Sequence, residues 1–137
     1  MAKYLLDTNV IISLIRNEDS QFISDIQSLN PVEYAVSIIT HSELMYGCEK
    51  NRTDQFQQRI IVASALAGFE IINFDKRCSE QYGKIKASLK AKGSFNPRNE
   101  LDIQIAATAM AYNLILLTKN LKDFKEIEDL LLQDRIT

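Results

Sequence analysis

Several residue types are scarce in this sequence of 137 residues, which has two cysteines, two prolines, four glycines, one histidine and no tryptophan. Cys48 and Cys78 form no C-x-x-C spacing, which argues against a zinc finger and a disulfide scaffold, and we interpret both as free, buried or half-buried thiols. Hydrophobic residues make up 46% and charged residues 25%, a composition typical of a globular domain and not of a disordered or collagen-like chain.

Long hydrophobic runs and two common catalytic motifs are also absent. No apolar run approaches the roughly 18 residues that cross a bilayer, and the acid Asp7 comes too early for a signal peptide. We therefore expect no membrane association and a reducing, cytoplasmic compartment. The sequence has neither a Gly-x-Ser-x-Gly turn nor a Gly-x-x-x-x-Gly-Lys loop, so serine-hydrolase and P-loop chemistry are unsupported.

The charge is nearly balanced but unevenly distributed. The formal net charge is -2, which excludes a globally basic nucleic-acid binder. Between residues 76 and 98, however, seven basic residues accompany one acid, Glu80, so this segment carries +6. This segment is either a solvated helix face or an electrostatic binding surface for a polyanion. On the second interpretation Lys86 and Lys90, one helical turn apart, face the polyanion with help from Arg98.

Short apolar segments alternate with helical patterns along the chain. Strands are predicted at 3–7, 34–39, 69–73 and 114–117, with a possible edge strand at 130–132. A helix is expected to start near Thr40, another spans 54–67 with Phe56, Ile60, Ala63 and Ala67 on one face, and Asp75 caps a long helix. The pattern predicts one α/β domain over 1–137, with a central parallel sheet flanked by helices.

Polar residues directly follow the predicted strands. Because ligands bind beyond the carboxyl ends of strands in open α/β sheets, these residues are the candidates for a site. They are Asp7 after the first strand, Thr40 to Glu43 after the second, Asp75 after the third, and Thr118, Lys119, Asn120 and Asp123 after the fourth. Asp102, in the first turn of the helix before the fourth strand, is expected at the same edge.

Each acid also has a purely structural interpretation. Asp7 and Asp75 could cap helices, Thr40 and Glu43 could form a capping box, Asp102 suits a helix N-terminus, and Asp123 could lie in a solvated loop. Taken together, the acids are harder to dismiss, because Asp7 and Asp102 interrupt apolar segments, where a carboxylate needs a partner. Clustered carboxylates repel unless a cation joins them, and Mg²⁺ or Mn²⁺ is the obvious one.

Four motifs in this order resemble the PIN-domain ribonucleases, and most closely the VapC-type toxins of bacterial toxin–antitoxin pairs. They are Leu5-Leu6-Asp7-Thr8-Asn9, Ser42-Glu43-Leu44-Met45-Tyr46-Gly47, Leu101-Asp102-Ile103-Gln104-Ile105-Ala106-Ala107, and Leu117-Thr118-Lys119-Asn120-Leu121-Lys122-Asp123-Phe124. The resemblance covers essentially the whole chain. It implies helices around a parallel sheet, a Mg²⁺ or Mn²⁺ centre, and endoribonuclease activity on structured RNA, commonly tRNA.

The resemblance also implies roles for individual residues. Asp7, Glu43 and Asp102 match the three acids of the family, and Asp7 and Asp102 would hold one metal ion with Glu43 and waters completing its shell. Asp123 is ranked ahead of Asn120 for a fourth position, and Thr118 and Asn9 support the site. Cleavage by a pair of histidines is excluded, because His41 is the only histidine. The expected partners are RNA, a small antitoxin whose tail places a cation among the acids, and a second copy of the chain.

Two other functions stay open from the sequence. Asp7, Asp75, Thr118 and Lys119 are similar to the pattern of a signalling receiver domain, in which an aspartate after the third strand accepts a phosphoryl group. The receiver's paired acids after the first strand, and a proline after the lysine, are missing here. The third reading is a catalytically inactive interaction module on the same fold.

Overall fold

A computed structural model describes residues 2–50 and 54–136 of the chain. The strands are β1 (Tyr4–Leu6), β2 (Tyr34–Ser37), β3 (Glu70–Ile72), β4 (Ile115–Leu117) and β5 (Leu132–Gln133). The helices are α1 (Thr8–Ile15), α2 (Gln21–Ser28), α3 (Ile38–Lys50), α4 (Gln55–Leu66), α5 (Lys76–Ala91) and α6 (Glu100–Ala111). Short 3-10 turns occur at Pro31–Glu33, Pro97–Asn99 and Leu121–Asp123.

All five strands run parallel in the order β3-β2-β1-β4-β5, so β1 lies at the centre of the sheet. Tyr4 of β1 is in register with Tyr34 of β2 on one side and with Ile115 of β4 on the other. Because the strands are parallel, their carboxyl ends meet at one edge of the sheet. The predicted α/β class with a central parallel sheet is confirmed, and the predicted edge strand exists slightly further along the chain as β5.

Hydrophobic cores cover both faces of the sheet, because successive side chains of a strand point to opposite faces. Leu5 and Leu116 pack into the core beneath α5 and α6, whereas Leu6 and Leu117 pack into the core beneath α1 to α4. Cys48 and Cys78 are buried and free, as expected. No helix within the described residues is long and apolar enough to cross a membrane.

The structure corrects the start of α3. This helix begins at Ile38, because the Ser37 hydroxyl accepts a hydrogen bond from the backbone N–H of Ile39 at 3.0 Å and ends the strand there. Thr40 therefore lies inside the first turn. The alternative interpretation of Thr40 and Glu43 as a capping box is not supported, because both side chains hydrogen-bond to the Thr8 hydroxyl instead.

The structure also corrects the buried face of α4. Val62 and Leu66 point into the core, whereas Phe56 and Ile60 of the predicted face are 78% and 49% exposed. The helix carries apolar residues on more than one side, so helical periodicity alone could not tell which side packs inward.

Candidate active site

Asp7 lies where β1 ends and α1 begins, and it is held from two sides. Its Oδ1 accepts the backbone N–H of Thr8 at 2.8 Å, which confirms its role as a helix cap. Its Oδ2 accepts the hydroxyl of Thr118, at the end of the neighbouring strand β4, also at 2.8 Å. The Thr118 oxygen in turn accepts the backbone N–H of Asn120 at 3.0 Å. Asp7 is only 3% exposed, so these bonds fix a carboxylate in a largely dry environment.

Glu43 approaches Asp7 from α3 and is positioned by a chain of threonine hydroxyls. The Thr8 hydroxyl donates to Glu43 Oε1 at 2.7 Å and lies 2.9 Å from the hydroxyl oxygen of Thr40. A hydroxyl has a single proton, so Thr40 must donate to Thr8 when Thr8 donates to Glu43. Thr8 therefore links α3 to the residue that follows Asp7, and its place in the site was not predicted from the sequence.

Asp102 completes the convergence from the first turn of α6. Burial, followed by the nearby charges of Asp7, Asp123 and Glu43, raises the pKa of Asp102 to about 7. Burial also raises the pKa of Asp7 and of Glu43, although hydrogen bonds from Thr118 and Thr8 work in the opposite direction. The structure thus brings the four predicted acids within electrostatic reach of one another.

Asp123 and Asn120 occupy different positions relative to this cluster. Asp123 is exposed, and its charge contributes to the raised pKa of both Asp7 and Asp102. Asn120 takes part through its backbone N–H, which donates to Thr118. Asn9 is an exposed residue of the cleft that contains the acids.

The donor types suit a hard divalent cation, because Asp7, Glu43 and Asp102 present carboxylate oxygens to one cleft. Among residues 2–50 and 54–136, no three acidic, histidine or cysteine side chains are close enough to grip a metal ion together. Mg²⁺ is usually held by one or two carboxylates and several waters, so the arrangement fits an ion that keeps part of its hydration shell.

A cleft of about 760 Å³ leads away from the acids between α1, α3, α4 and the start of α6. Asp7, Glu43 and Asp102 line one part of it. Its other lining residues include an apolar group, namely Ile12, Ile15, Ile39, Leu44 and Val62, together with two basic residues, Arg16 and Lys50. The cleft is therefore acidic in one part, apolar along its walls, and supplied with two cations.

The structure rules out the receiver interpretation through its topology. Strand β3, which precedes Asp75, lies at the edge of the sheet, and β2 separates it from β1. Asp75 caps α5 by accepting the backbone N–H of Cys78 at 3.0 Å, and it also accepts the hydroxyl of Tyr112. The bond from Tyr112 lowers the pKa of Asp75. Lys119 also points elsewhere, with its ammonium 3.0 Å from both Ser13 and Glu18.

Part of the basic segment at 76–98 packs within the fold. Lys86 forms a salt bridge with Glu100, which lies just beyond the segment and so escaped the sequence count. The hydrogen bond from Lys86 lowers the pKa of Glu100 and raises that of Lys86 itself. Lys86 and Lys90 both lie 5.0 Å from the centre of the Phe95 ring. The expectation that Lys86 is free to face RNA therefore overlooked a local counter-charge.

Comparison with known proteins defines the class of this chain. The PIN domain family matches residues 4–130, and the chain belongs to that family. It is 33% identical over 135 residues to Ribonuclease VapC2 of Rickettsia felis, covering 96% of each chain. It is 31% identical over 134 residues to the tRNA(fMet)-specific endonuclease VapC of Salmonella typhimurium, covering 98% of each. Among solved structures, DNA-bound VapBC from Salmonella typhimurium matches with a TM-score of 0.87 and 30% identity, covering 97% of this chain and 98% of that one.

Proposed function

We propose that this chain is a metal-dependent endoribonuclease that hydrolyses phosphodiester bonds in structured RNA such as tRNA, and that it is the toxin of a type II toxin–antitoxin pair. The observation that carries the proposal is the convergence of Asp7, Glu43 and Asp102 on one cleft, where burial and then the charges of Asp7, Asp123 and Glu43 raise the pKa of Asp102 to about 7. Such a shift is costly to a fold, and costly clusters of like charge are typical of functional sites. The similarity to VapC ribonucleases supports the same activity.

In this proposal Asp7 and Asp102 would hold Mg²⁺ or Mn²⁺, and Glu43 and waters would complete its shell. When bound, the ion lowers the pKa of a coordinated water and neutralises charge that develops on the phosphate. Hydrogen bonds from the Thr118 hydroxyl and the backbone N–H of Thr8 hold the Asp7 carboxylate in place. The Thr40–Thr8 hydroxyl chain holds Glu43, which orients or deprotonates the attacking water. Asp123 binds a second ion or its water shell, ahead of Asn120.

Two protein partners belong to the proposal. One is a small antitoxin that lies along the apolar walls of the cleft and places a cation among the acids, since an acidic pocket attracts an arginine or lysine strongly. The match to a VapBC structure supports this partner. The other is a second copy of the chain, because two-fold homodimers are the commonest soluble assembly. Two free thiols and the absence of a membrane-spanning helix among the described residues favour a cytoplasmic location.

The test is RNA hydrolysis by the purified protein with Mg²⁺ or Mn²⁺, and again in excess EDTA. Cleavage is expected only with metal, and Asp7→Asn should abolish most of it, because the change removes a charge with little change in volume. A thermal melt of the variant separates loss of chemistry from loss of fold. Full cleavage in EDTA, or by a folded Asp7→Asn variant, contradicts the metal mechanism. Binding of RNA without any cleavage would favour the inactive interaction module.

A further inference from the structure

Helix α3 contributes other residues to the cleft besides Glu43. Tyr46, Gly47 and Lys50 follow Glu43 at intervals of three, four and seven residues, so all four residues share one face of the helix. All four also line the cleft. With a helical rise of about 1.5 Å per residue, Tyr46 lies about 4.5 Å and Lys50 about 10.5 Å along the helix axis from Glu43. That span is within the reach of a dinucleotide bound at the acids.

We propose that Tyr46 and Lys50, here called the α3 platform, bind an unpaired nucleotide that flanks the scissile phosphate: the base stacks on the Tyr46 ring and Lys50 pairs with the adjoining phosphate. This proposal rests on the proposed nuclease function and adds a binding position for its substrate. The bound part of the substrate is therefore single-stranded, because a base must leave its own stack before an aromatic side chain can take its place.

The environment of Tyr46 supports stacking on a ligand and not packing within the chain. Tyr46 is 68% exposed although it lines the cleft, so its ring is accessible to a ligand. The Lys50 ammonium lies over the ring at 5.8 Å from its centre, which leaves the opposite face for a base. Beside it, Gly47 adds no side chain, and a Cβ at that position would meet no atom within 4 Å.

The pairing of the Tyr46 ring with the Lys50 ammonium favours a nucleic acid over an apolar peptide at this position. An aromatic ring next to a cation is the combination that single-stranded nucleic-acid sites use, with the ring for the base and the cation for the backbone. Arg16 provides a second cation on another wall of the same cleft. An apolar peptide could instead contact Ile12, Leu44 and Val62, which line other parts of the cleft. Such a peptide would not need an exposed aromatic ring beside a lysine.

The experiment measures binding without cleavage. A short single-stranded RNA containing 2-aminopurine is titrated with the full chain in EDTA, and both the dissociation constant and the fluorescence quenching are recorded. Tyr46→Leu should weaken binding roughly 5- to 100-fold and abolish the quenching, whereas Tyr46→Phe should preserve both. Lys50→Gln should reduce the slope of log K against log salt by about 0.7. Phe56→Leu is the matched control, since Phe56 is a 78% exposed aromatic residue on α4 that does not line the cleft.

Four results of this experiment would overturn the α3 platform, and the first three concern RNA binding. Absence of quenching by the wild-type protein, unchanged binding by Tyr46→Leu, or an equal loss in Phe56→Leu overturns the platform. If Tyr46→Leu binds RNA normally but sediments differently from the wild type, Tyr46 belongs to a protein interface and the platform is likewise overturned. Cleavage with Mg²⁺ is measured in parallel on the same variants. Tyr46-dependent quenching without cleavage refutes the nuclease function alone, and cleavage that is indifferent to Tyr46 refutes the platform alone.

Discussion

Asp102→Asn should stabilise the metal-free protein, because it removes one charge from the most strongly perturbed carboxyl of the site. The pKa of Asp102 is about 7 in the folded chain and 3.8 ordinarily, and burial is the largest cause, followed by Asp7, Asp123 and Glu43. A full shift of this size corresponds to about 4 kcal/mol, at about 1.4 kcal/mol per pKa unit. Asp102 is only partly buried and solvent screens part of the effect, so we expect about 1–2 kcal/mol.

The sign of the pH dependence follows from linkage. A carboxyl whose folded pKa is raised costs the fold nothing below its unfolded pKa, and the cost grows as the pH rises from 3.8 and is complete above about 7. The melting temperature of Asp102→Asn should therefore match that of the wild type near pH 4. Above pH 7 the variant should melt about 3–10 °C higher, the shift that corresponds to about 1–2 kcal/mol for a domain of this size.

The assay is a thermal melt of the wild type and Asp102→Asn between pH 4 and pH 8, in EDTA and again with Mn²⁺. Asp19→Asn is the matched control, because Asp19 is exposed and lies outside the cleft, and it should show no such pH-dependent gain. Mn²⁺ should raise the melting temperature of the wild type more than that of Asp102→Asn, since it binds the native site. A variant that melts below the wild type in EDTA at pH 8 would show that Asp102 is a structural acceptor, and the electrostatic reasoning would be wrong.

Three further experiments examine the parts that surround this centre. Thr8→Val should lower the rate of RNA cleavage roughly 5- to 30-fold by releasing Glu43, and Thr8→Ser should restore it; equal rates in both variants would contradict the hydroxyl chain. In a Mn²⁺ titration, Asp123→Asn should weaken metal binding more than Asn120→Ala, and the reverse order would move the fourth position to Asn120. Lys86→Gln should lower the melting temperature while leaving RNA affinity and its salt dependence nearly unchanged; a clear fall in RNA affinity would return Lys86 to the RNA-binding surface.

Much of the fold could be predicted because its information is local. The apolar run at 114–117 and the β-branched run at 34–39 mark two central strands, and the alternation with helices determines the parallel arrangement. The start of α3 was misplaced because Ser37, a residue with a strand-like neighbourhood, uses its hydroxyl to begin a helix. The inward face of α4 was wrong because the choice between two apolar stripes is made by tertiary packing against Val62 and Leu66.

The candidate acids could be proposed because the carboxyl ends of parallel strands meet at one edge of the sheet, where Asp7 follows β1 and Glu43 lies in the helix after β2. Asp102 precedes β4, so its selection rested on the apolar helix around it and on the family resemblance. The hydrogen-bond partners of these acids could not be predicted in the same way. Thr118 reaches Asp7 across 111 positions and Thr8 reaches Glu43 across 35, and nothing in the neighbouring sequence distinguishes these threonines from helix caps. The family resemblance implied a role for Thr118. Thr8 belongs to the first of the four motifs, but the resemblance implied no role for it.

The basic residues show that a count of charges in a window of sequence can miss a counter-charge that the fold supplies. A cation can serve a ligand only if the fold does not supply its counter-charge, and that depends on which helix packs against it. Lys86 lies in the most basic window of the chain, yet α6 brings Glu100 against it. Lys50 stands outside that window, at the end of α3, and its helix turns it toward the cleft that Glu43 lines. The charge that a polyanion meets therefore depends on how each helix is oriented and packed. In our proposal the cation that binds RNA is Lys50, on the same helix as Glu43.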